Sequence, residues 1–251
     1  MIGRAVALTL ALAAAPVSAA LTERDLAGAV ARPPTGARLP MALRFTTLDG
    51  RRASLGEAAG GRPLVLVFAD YTCRHVCAPG LMLTAAALRR SGLVPGDDYR
   101  LVVVGLDPRD GPDAARAMTG RLGSIGPARA ATVLLGDVRS TPAAARALGY
   151  GYVLDAEHDQ FAHDAAVYVF GSDGRLRTML PELAATPAGL RAALTDARPS
   201  AGLAERIGHL CYGFAAAHGR YGRAVVLGIQ ALAVLTVAAL ALVLLRRRRA
   251  A

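Results

Sequence analysis

Continuous apolar runs alternate with segments of helical spacing through the central part of the chain. Residues 64–69 and 100–106 are mostly apolar and rich in β-branched side chains, which is typical of strands buried on both faces. Between them, Pro79 suits the first turn of a helix, where its missing N–H is tolerated, and residues 81–90 continue with helical spacing. The pattern therefore predicts two buried strands joined through a helix.

The remainder of this region continues the same order and ends in a hairpin. The turn signal Ser172-Asp173-Gly174-Arg175 separates two short apolar runs. Further strands are predicted at 41–47, 132–135, 150–154, 165–170 and 176–180, and further helices at 113–122, at 140–149 and from Thr186-Pro187 onward. Strands that alternate with helices before a closing hairpin predict an α/β fold with a mixed sheet flanked by helices.

The first 19 residues, 1–19, have the composition of a secretory signal peptide. Arg4 gives a short positive region, residues 5–15 are apolar apart from Thr9, and Val17-Ser18-Ala19 supplies the small residues of a cleavage site. The alternative is a buried helix at the start of a cytosolic domain. The order of charge, apolar run and cleavage pattern favours export.

A second apolar segment, residues 224–245, predicts one C-terminal transmembrane helix. Only Gly228, Gln230 and Thr236 lie outside the apolar set in these 22 residues, and a bilayer core needs about 20. A basic tail, 246–251, begins directly afterwards with four arginines, and such a block stays on the cytoplasmic side.

The two ends agree on one topology. We predict a single-pass protein of the cytoplasmic (inner) membrane, with its C-terminus in the cytoplasm. The folded domain, 20–200, then lies on the periplasmic, extracytoplasmic side, followed by a juxtamembrane segment, 201–223.

The net charge of +10 belongs mainly to the ends of the chain. Eight of the 29 basic residues are Arg4 or lie from Arg206 onward, which leaves 21 basic against 19 acidic residues in between. A domain so close to neutral lacks the basic surface that nucleic-acid binding requires. Nucleic acid is therefore excluded as the expected partner.

Cys73 and Cys77 lie four positions apart, where the first buried strand gives way to a helix. A helix N-terminus favours the thiolate form, and copper(I) prefers thiolate ligands. In an exported protein the same pair can instead form a structural or redox disulfide. This position of the pair is that of a thioredoxin-like fold, although the three-residue gap differs from the two-residue gap of thioredoxin redox motifs.

An imidazole from another loop would complete a three-coordinate site. The chain offers five histidines: His75, His158, His163, His209 and His218. His75 lies between the cysteines, whereas His158 and His163 lie in a predicted loop between two strands. In a thioredoxin-like fold that loop can approach the cysteines at the same end of the sheet.

Several motifs together resemble one family. They are LVLVFADYT before Cys73-x-x-x-Cys77, VVVGLDPRDGP at 102–112, and Phe161-Ala162-His163 leading into AVYVFGSDGRL. Over residues from about 40 to 198 the chain resembles the Sco/SenC family, whose members are copper-binding, thioredoxin-like proteins that help deliver copper to cytochrome c oxidase. The resemblance implies copper as the bound metal, with Cys73 and Cys77 as thiolate ligands and His163 as the imidazole ligand. It also implies an acidic position near the site at Asp107.

The chain departs from the family pattern near these residues. Arg74 and Ala78 occupy positions where members of the family usually have proline. Ala162 precedes the histidine in place of the usual aspartate, and Asp164 follows it. His75 is unusual inside the cysteine loop and is a rival ligand.

Two functions of different classes follow. The first is a copper metallochaperone, not an enzyme, that passes copper to an oxidase subunit or another periplasmic copper protein. In it, oxidation of Cys73 and Cys77 to a disulfide would remove the metal site. The second is a membrane-tethered thiol–disulfide oxidoreductase acting on cysteines of oxidase subunits or other exported proteins. A peroxidase is a weaker third alternative, since only Thr72 and Arg74 suggest it.

The third cysteine, Cys211, lies close to His209 and just outside the predicted membrane helix. A second thiol or metal site is one interpretation. An ordinary interfacial segment with Tyr and Arg near the headgroups is favoured over it.

Overall fold

The computed structural model describes residues 21–73, 77–120 and 126–196, together with Leu232 and Thr236. The chain divides into two compact units, Met1–Pro199 and Ser200–Ala251. In the second unit Leu232 and Thr236 are both helical, and the Thr236 hydroxyl donates to the Leu232 carbonyl at 2.8 Å.

The predicted membrane features fall almost wholly outside this part of the chain. The signal peptide at 1–19, the segment 201–223 and the tail 246–251 lie outside the described residues, as does 224–245 apart from Leu232 and Thr236. Within the described ranges, no helix combines the length and the apolar composition needed to span a bilayer.

The first unit alternates strands and helices. Its described strands are β1 Arg44–Thr47, β2 Arg52–Ser54, β3 Leu64–Ala69, β4 Arg100–Gly105, β5 Thr132–Leu135, β6 Tyr152–Asp155, β7 Gln160–His163, β8 Ala166–Phe170 and β9 Leu176–Pro181. Its described helices are α1 Glu23–Gly28, α2 Leu55–Ala59, α3 Cys77–Arg90, α4 Pro112–Gly120, α5 Gly126–Arg129, α6 Ser140–Ala147 and α7 Pro187–Leu194, with a 3-10 turn at Glu182–Ala184.

Seven of these strands form one mixed sheet in the order β2-β1-β5-β4-β3-β8-β9. The pairs β3–β4 and β4–β5 are parallel, whereas β3–β8, β8–β9, β1–β5 and β1–β2 are antiparallel. The expected α/β class and mixed sheet are therefore confirmed. The central position of β3 explains its unbroken apolar sequence, because every residue from Leu64 to Ala69 is buried.

The alternation of side chains along β3 divides the core between two faces. Its odd-numbered residues pack on the face covered by α3, α4 and α7, and its even-numbered residues pack on the face covered by α2 and α6. Each fully buried aliphatic side chain contributes about 1.5–3 kcal/mol through the hydrophobic effect. These two layers hold the end of β3 and the start of α3 in fixed relation.

The structure corrects several local predictions. Helix α3 begins at Cys77, two residues earlier than Pro79, so Cys77 is helical and not part of the preceding loop. Residues 160–163 are not loop but strand β7, which pairs with β6 so that His163 lies opposite Tyr152. Short elements without a strong periodic signal, α1, α2, α5 and β2, were not predicted.

The hairpin β6–β7 is a separate two-stranded sheet. A hairpin of this size is marginal by itself in water. Its position therefore depends on contacts with the rest of the domain, and it carries His163 at its end.

Candidate metal site

Cys73 and Cys77 are both buried, reduced cysteines at one end of the central strand. Cys73 lies in the turn after β3, and its backbone N–H donates to the Asp70 carbonyl at 3.1 Å. Cys77 is the first residue of α3, and its thiol is hydrogen-bonded with that of Cys73. The exposed fractions of the two residues are 8% and 5%.

The local environment works against a free thiolate at Cys77. The hydrogen bond with Cys73 raises the pKa of Cys77 most, and burial raises it further. A position at a helix N-terminus predicts a lowered pKa, and for Cys77 this prediction is wrong, because the neighbouring Cys73 sulfur and the lost solvation raise its pKa. Binding of a metal would therefore have to displace protons from the thiols.

His163 reaches this site from a distant part of the sequence. Its Nε2 atom lies 3.4 Å from the Cys77 Sγ atom. The structure thus brings together two of the three residues named as ligands by the family resemblance, and the third, Cys73, is in contact with Cys77.

The other nitrogen of His163 is held by two oxygens. Nδ1 lies 2.6 Å from the Tyr150 hydroxyl and 2.9 Å from the Asp164 carbonyl. The tautomer with its proton on Nδ1 donates to the Asp164 carbonyl and leaves the Nε2 lone pair facing Cys77. Such a hydrogen bond to the remote nitrogen is the usual way in which a ligating imidazole is oriented.

The spacing of sulfur and nitrogen fits a shared metal ion. With metal–sulfur and metal–nitrogen bonds of about 2.3 and 2.0 Å, tetrahedral to trigonal angles place the two donors about 3.5–3.8 Å apart. The observed 3.4 Å is slightly less than this. Over the described ranges no set of three or more His, Cys, Asp or Glu side chains is already arranged to hold a metal, so a three-ligand site requires the donor side chains to adjust.

Carboxylates buried beside the cysteines organise the turn that contains Cys73. Both oxygens of Asp70 accept hydrogen bonds, and Asp110 Oδ2 accepts from the Tyr71 N–H at 2.9 Å. Burial, reinforced by the charges of Asp70 and Asp107, raises the pKa of Asp110 to about 6.

Asp107 lies in a neighbouring cleft. Burial acts to raise the pKa of Asp107, but the hydrogen bonds and the charge of Arg109 together outweigh burial and hold this pKa below its usual value. Arg109 also pairs with Asp159 at 2.8 Å. The cleft, of about 660 Å³, is lined by Thr72, Asp107, Arg109, Asp110, His158, Asp159 and Gln160.

His158 has a different environment from His163. It lies in the turn between β6 and β7, is exposed, and pairs with Asp155 at 2.9 Å. Hydrogen bonding to Asp155 raises the pKa of His158. This histidine is therefore a solvated surface group.

Glu182 is a buried acid near the start of α3. It is 5% exposed, and its carboxyl group lies against Gly80, so that a Cβ at position 80 would overlap it. Burial raises the pKa of Glu182 to about 7. The charge of Glu182 also acts on the buried Tyr150, whose pKa is raised chiefly by its own burial.

Sequence reasoning missed Tyr150, Asp70 and Glu182 as parts of the site. Tyr150 was predicted only as a strand residue, and its bond to His163 depends on how the hairpin packs. The one local signal for Asp70 is a charged residue directly after a fully apolar strand. His75, the rival ligand, lies outside the described residues, as do Arg74, His209, Cys211 and His218.

Comparison with known proteins gives a family for most of this domain. The SCO1/SenC family model matches residues 35–197, more than half of the chain. No curated protein matches the chain.

Solved structures show the same fold. Arabidopsis thaliana ScoI with copper bound is 18% identical, with a TM-score of 0.51 over 65% of this chain and 99% of that one. A SCO1/SenC family lipoprotein from Bacillus anthracis is 20% identical, with a TM-score of 0.51 over 66% and 96%. BsSco, a Sco family cytochrome c oxidase assembly protein with a disulfide switch, is 19% identical, with a TM-score of 0.50 over 66% and 97%. The predicted thioredoxin-like α/β fold is thereby confirmed.

Proposed function

The chain belongs to the SCO1/SenC family, and from this premise we propose that it is a copper metallochaperone that assists the assembly of cytochrome c oxidase. The observation that carries the proposal is the 3.4 Å approach of His163 Nε2 to Cys77 Sγ, with the Cys73 thiol hydrogen-bonded to the same sulfur. Two thiols and one imidazole are soft and borderline donors, which suit copper(I). In this proposed function copper is the cargo, and the three residues bind it without catalysing a reaction.

The donor set accounts for loading and release. Cys73 and Cys77 bind the ion as thiolates, and their two protons leave to solvent. His163 is the neutral third ligand, oriented through Nδ1 by the Asp164 carbonyl and the Tyr150 hydroxyl. A donor group of the receiving oxidase subunit, or of another periplasmic copper protein, replaces these ligands one at a time.

Copper titration of the reduced full-length chain in detergent tests the proposal. We expect one copper(I) ion per chain in competition with a chelator, and no tight binding in the double variant Cys73→Ser, Cys77→Ser. The variant Cys211→Ser is the matched control, since it also removes one thiol, and it should bind as the wild type does. Copper binding that survives the double variant would refute the ligand assignment.

A thiol–disulfide oxidoreductase is the second candidate, and the hydrogen-bonded pair of reduced thiols favours it. In that function Cys73 and Cys77 give two electrons and two protons to a disulfide of an exported protein and themselves become a disulfide. The disulfide switch identified in BsSco, which has the same fold, supports reversible disulfide formation by this cysteine pair. A reduced wild-type chain that exchanges with a protein disulfide and binds no copper would favour this candidate over the first.

We further propose that the domain works on the periplasmic side of the cytoplasmic membrane, attached through residues 224–245. The apolar length of that segment, the arginines after it and the signal-like residues 1–19 support this location. Attachment would keep the domain at high effective concentration near a membrane-bound oxidase. Expression of the chain ending at residue 223 should release the protein into the periplasmic fraction, and recovery of that shortened chain in the membrane fraction would contradict the proposal.

A further inference from the structure

The hairpin that carries His163 needs an anchor near the cysteines. Because β6–β7 is separate from the main sheet, the position of His163 is set by contacts outside the strand ladder. Asp164, directly after the hairpin, accepts from the Ala31 N–H at 2.7 Å, and Asp159 in its turn pairs with Arg109. Neither of these contacts reaches the segment that contains Cys73.

Asp70 makes the connection to that segment. This fully buried residue follows β3, and its Oδ2 atom accepts from the backbone N–H of Phe161 in β7 at 2.8 Å. Its Oδ1 atom accepts from the N–H and the hydroxyl of Thr72 at 3.0 and 2.9 Å. One carboxylate therefore bonds to both segments, although 91 positions separate Asp70 from Phe161.

The backbone of Asp70 extends the same connection to both sulfurs. Its carbonyl accepts from the Cys73 N–H at 3.1 Å, and its own N–H is hydrogen-bonded to the Cys77 thiol. A rotation of Asp70 would thus move the cysteine turn as well as release the hairpin.

The bond to Phe161 bears directly on His163. The two residues are two positions apart on one strand, so their side chains share a face and their separation along the strand is about 7 Å. A bond to the Phe161 backbone therefore limits how far the imidazole can slide along or tilt away from the cysteines. A carboxylate accepting from a backbone N–H gives one of the stronger hydrogen bonds in a protein.

We propose that Asp70 is the positioning residue that holds the histidine hairpin against the cysteine turn and so presets the distance between the imidazole and thiol donors. This inference rests on the proposed copper function for its consequence, but the bond itself exists in the chain without metal. Removal of a group that orients a metal ligand commonly weakens metal binding about tenfold to a hundredfold.

The test compares Asp70→Asn with Asp113→Asn, which makes the same chemical change at a fully exposed carboxylate. An asparagine can accept with its single oxygen from Thr72 or from Phe161, but not from both sides as the carboxylate does. Two quantities are measured on the full-length chain in detergent: hydrogen exchange of the Phe161 amide without metal, and copper(I) affinity. In Asp70→Asn we expect exchange at least about tenfold faster and affinity about tenfold to a hundredfold weaker. In Asp113→Asn neither quantity should change.

A milder variant keeps the inference testable if Asp70→Asn does not fold. Thr72→Val removes one hydroxyl from an exposed residue and leaves the bond between Asp70 and Phe161 in place. We expect Phe161 exchange to stay at the wild-type rate and copper affinity to fall severalfold at most. A Phe161 amide that exchanges in the wild type as fast as an unprotected amide would show that the bond is absent and would overturn the inference.

The two proposals can fail separately. If the wild type binds no copper, the metallochaperone function is wrong, while the Phe161 exchange rates still decide whether Asp70 holds the hairpin. If the wild type binds copper and Asp70→Asn binds it equally well, the positioning role is wrong and the metallochaperone function stands.

Discussion

The Nε2 atom of His163 lies 3.4 Å from the Sγ atom of Cys77, although 86 positions separate the two residues in the chain. The two atoms meet because α3 begins at Cys77 and the hairpin β6–β7 folds over that end of the sheet. This contact allows His163 to share a metal ion with Cys77, a role that the exposed His158 lacks.

Replacement of His163 by alanine separates metal binding from thiol chemistry. His163→Ala removes a metal donor and leaves both sulfurs. Copper(I) affinity should therefore fall more than about a hundredfold, which exceeds the usual effect of losing a group that only orients a ligand. Thiol–disulfide exchange by Cys73 and Cys77 should be retained. Chelator competition and an exchange assay on the same preparation measure both properties.

His158→Ala is the matched control for this variant, because it removes an imidazole that is exposed and paired with Asp155. Its copper affinity should equal that of the wild type. Equal weakening by the two substitutions would contradict the assignment of His163 as the ligand.

The Tyr150 hydroxyl should matter for copper affinity and only modestly for stability. Tyr150→Phe keeps the ring, which stacks on Phe68 at 4.4 Å, and removes the bonds to His163 Nδ1 and to the Asp164 carbonyl. We expect copper binding about tenfold to a hundredfold weaker, and a loss of about 1–2 kcal/mol in the free energy of unfolding. Chelator competition and urea denaturation measure the two effects.

Tyr168→Phe makes the same chemical change nearby. The buried Tyr168 hydroxyl has no hydrogen-bond partner among the residues that the structure describes. This variant should leave copper affinity unchanged and should not destabilise the domain. A copper affinity of Tyr150→Phe that equals that of Tyr168→Phe would show that the hydroxyl does not orient the imidazole.

Glu182 should make the domain less stable as the pH rises through the weakly acidic range. Its pKa of about 7 in the folded protein lies above the ordinary 4.5, so the folded state holds this proton more tightly than the unfolded state does. Its contribution is complete below pH 4.5 and is lost as the pH approaches 7. The difference between these two limits is about 3 kcal/mol.

Glu182→Gln cannot ionise and should remove this dependence. Urea denaturation should show that the Glu182→Gln variant is more stable than the wild type at pH 8. At pH 4 the free energies of unfolding of the two proteins should be close. Glu57→Gln is a control of opposite sign, because hydrogen bonds from Ser54 lower the pKa of Glu57. A constant difference between Glu182→Gln and the wild type across this range would show that Glu182 does not titrate there.

Gly80 and Glu182 should be energetically coupled. A Cβ at position 80 would overlap the Glu182 carboxyl group, so Gly80→Ala should destabilise the wild type by about 1–3 kcal/mol. With Glu182→Ala already present the overlap is gone, and the helix propensity of alanine should make Gly80→Ala neutral or stabilising by up to about 1 kcal/mol. A double-mutant cycle by urea denaturation measures the change of sign.

Gly120→Ala, in α4, is the control for this cycle because no atom of a described neighbouring residue lies within 4 Å of a Cβ at that position. It should have the same small effect in both backgrounds. Equal effects of Gly80→Ala in the two backgrounds would show that Glu182 does not occupy the space beside Gly80.

Local patterns predicted most of the sheet. The apolar run of β3 and the turn signal before β9 determine their elements from neighbouring residues, so both could be predicted without tertiary information. The strand β7 could not, because its four residues are only half-buried and pair with β6 alone. For that reason His163 was predicted in a loop.

The sequence by itself determined which donors are available: two cysteines at a strand-to-helix junction and a small set of histidines. The family resemblance implied His163 among these histidines. The tertiary structure places its imidazole beside Cys77, and it alone shows that Tyr150 and Asp70 hold it there. The physical reason is the separation of the contacting residues along the chain. Strands and helices follow from contacts between residues close together in the chain, whereas the hydrogen bond from the Phe161 N–H to the Asp70 carboxylate exists only after the whole domain has packed.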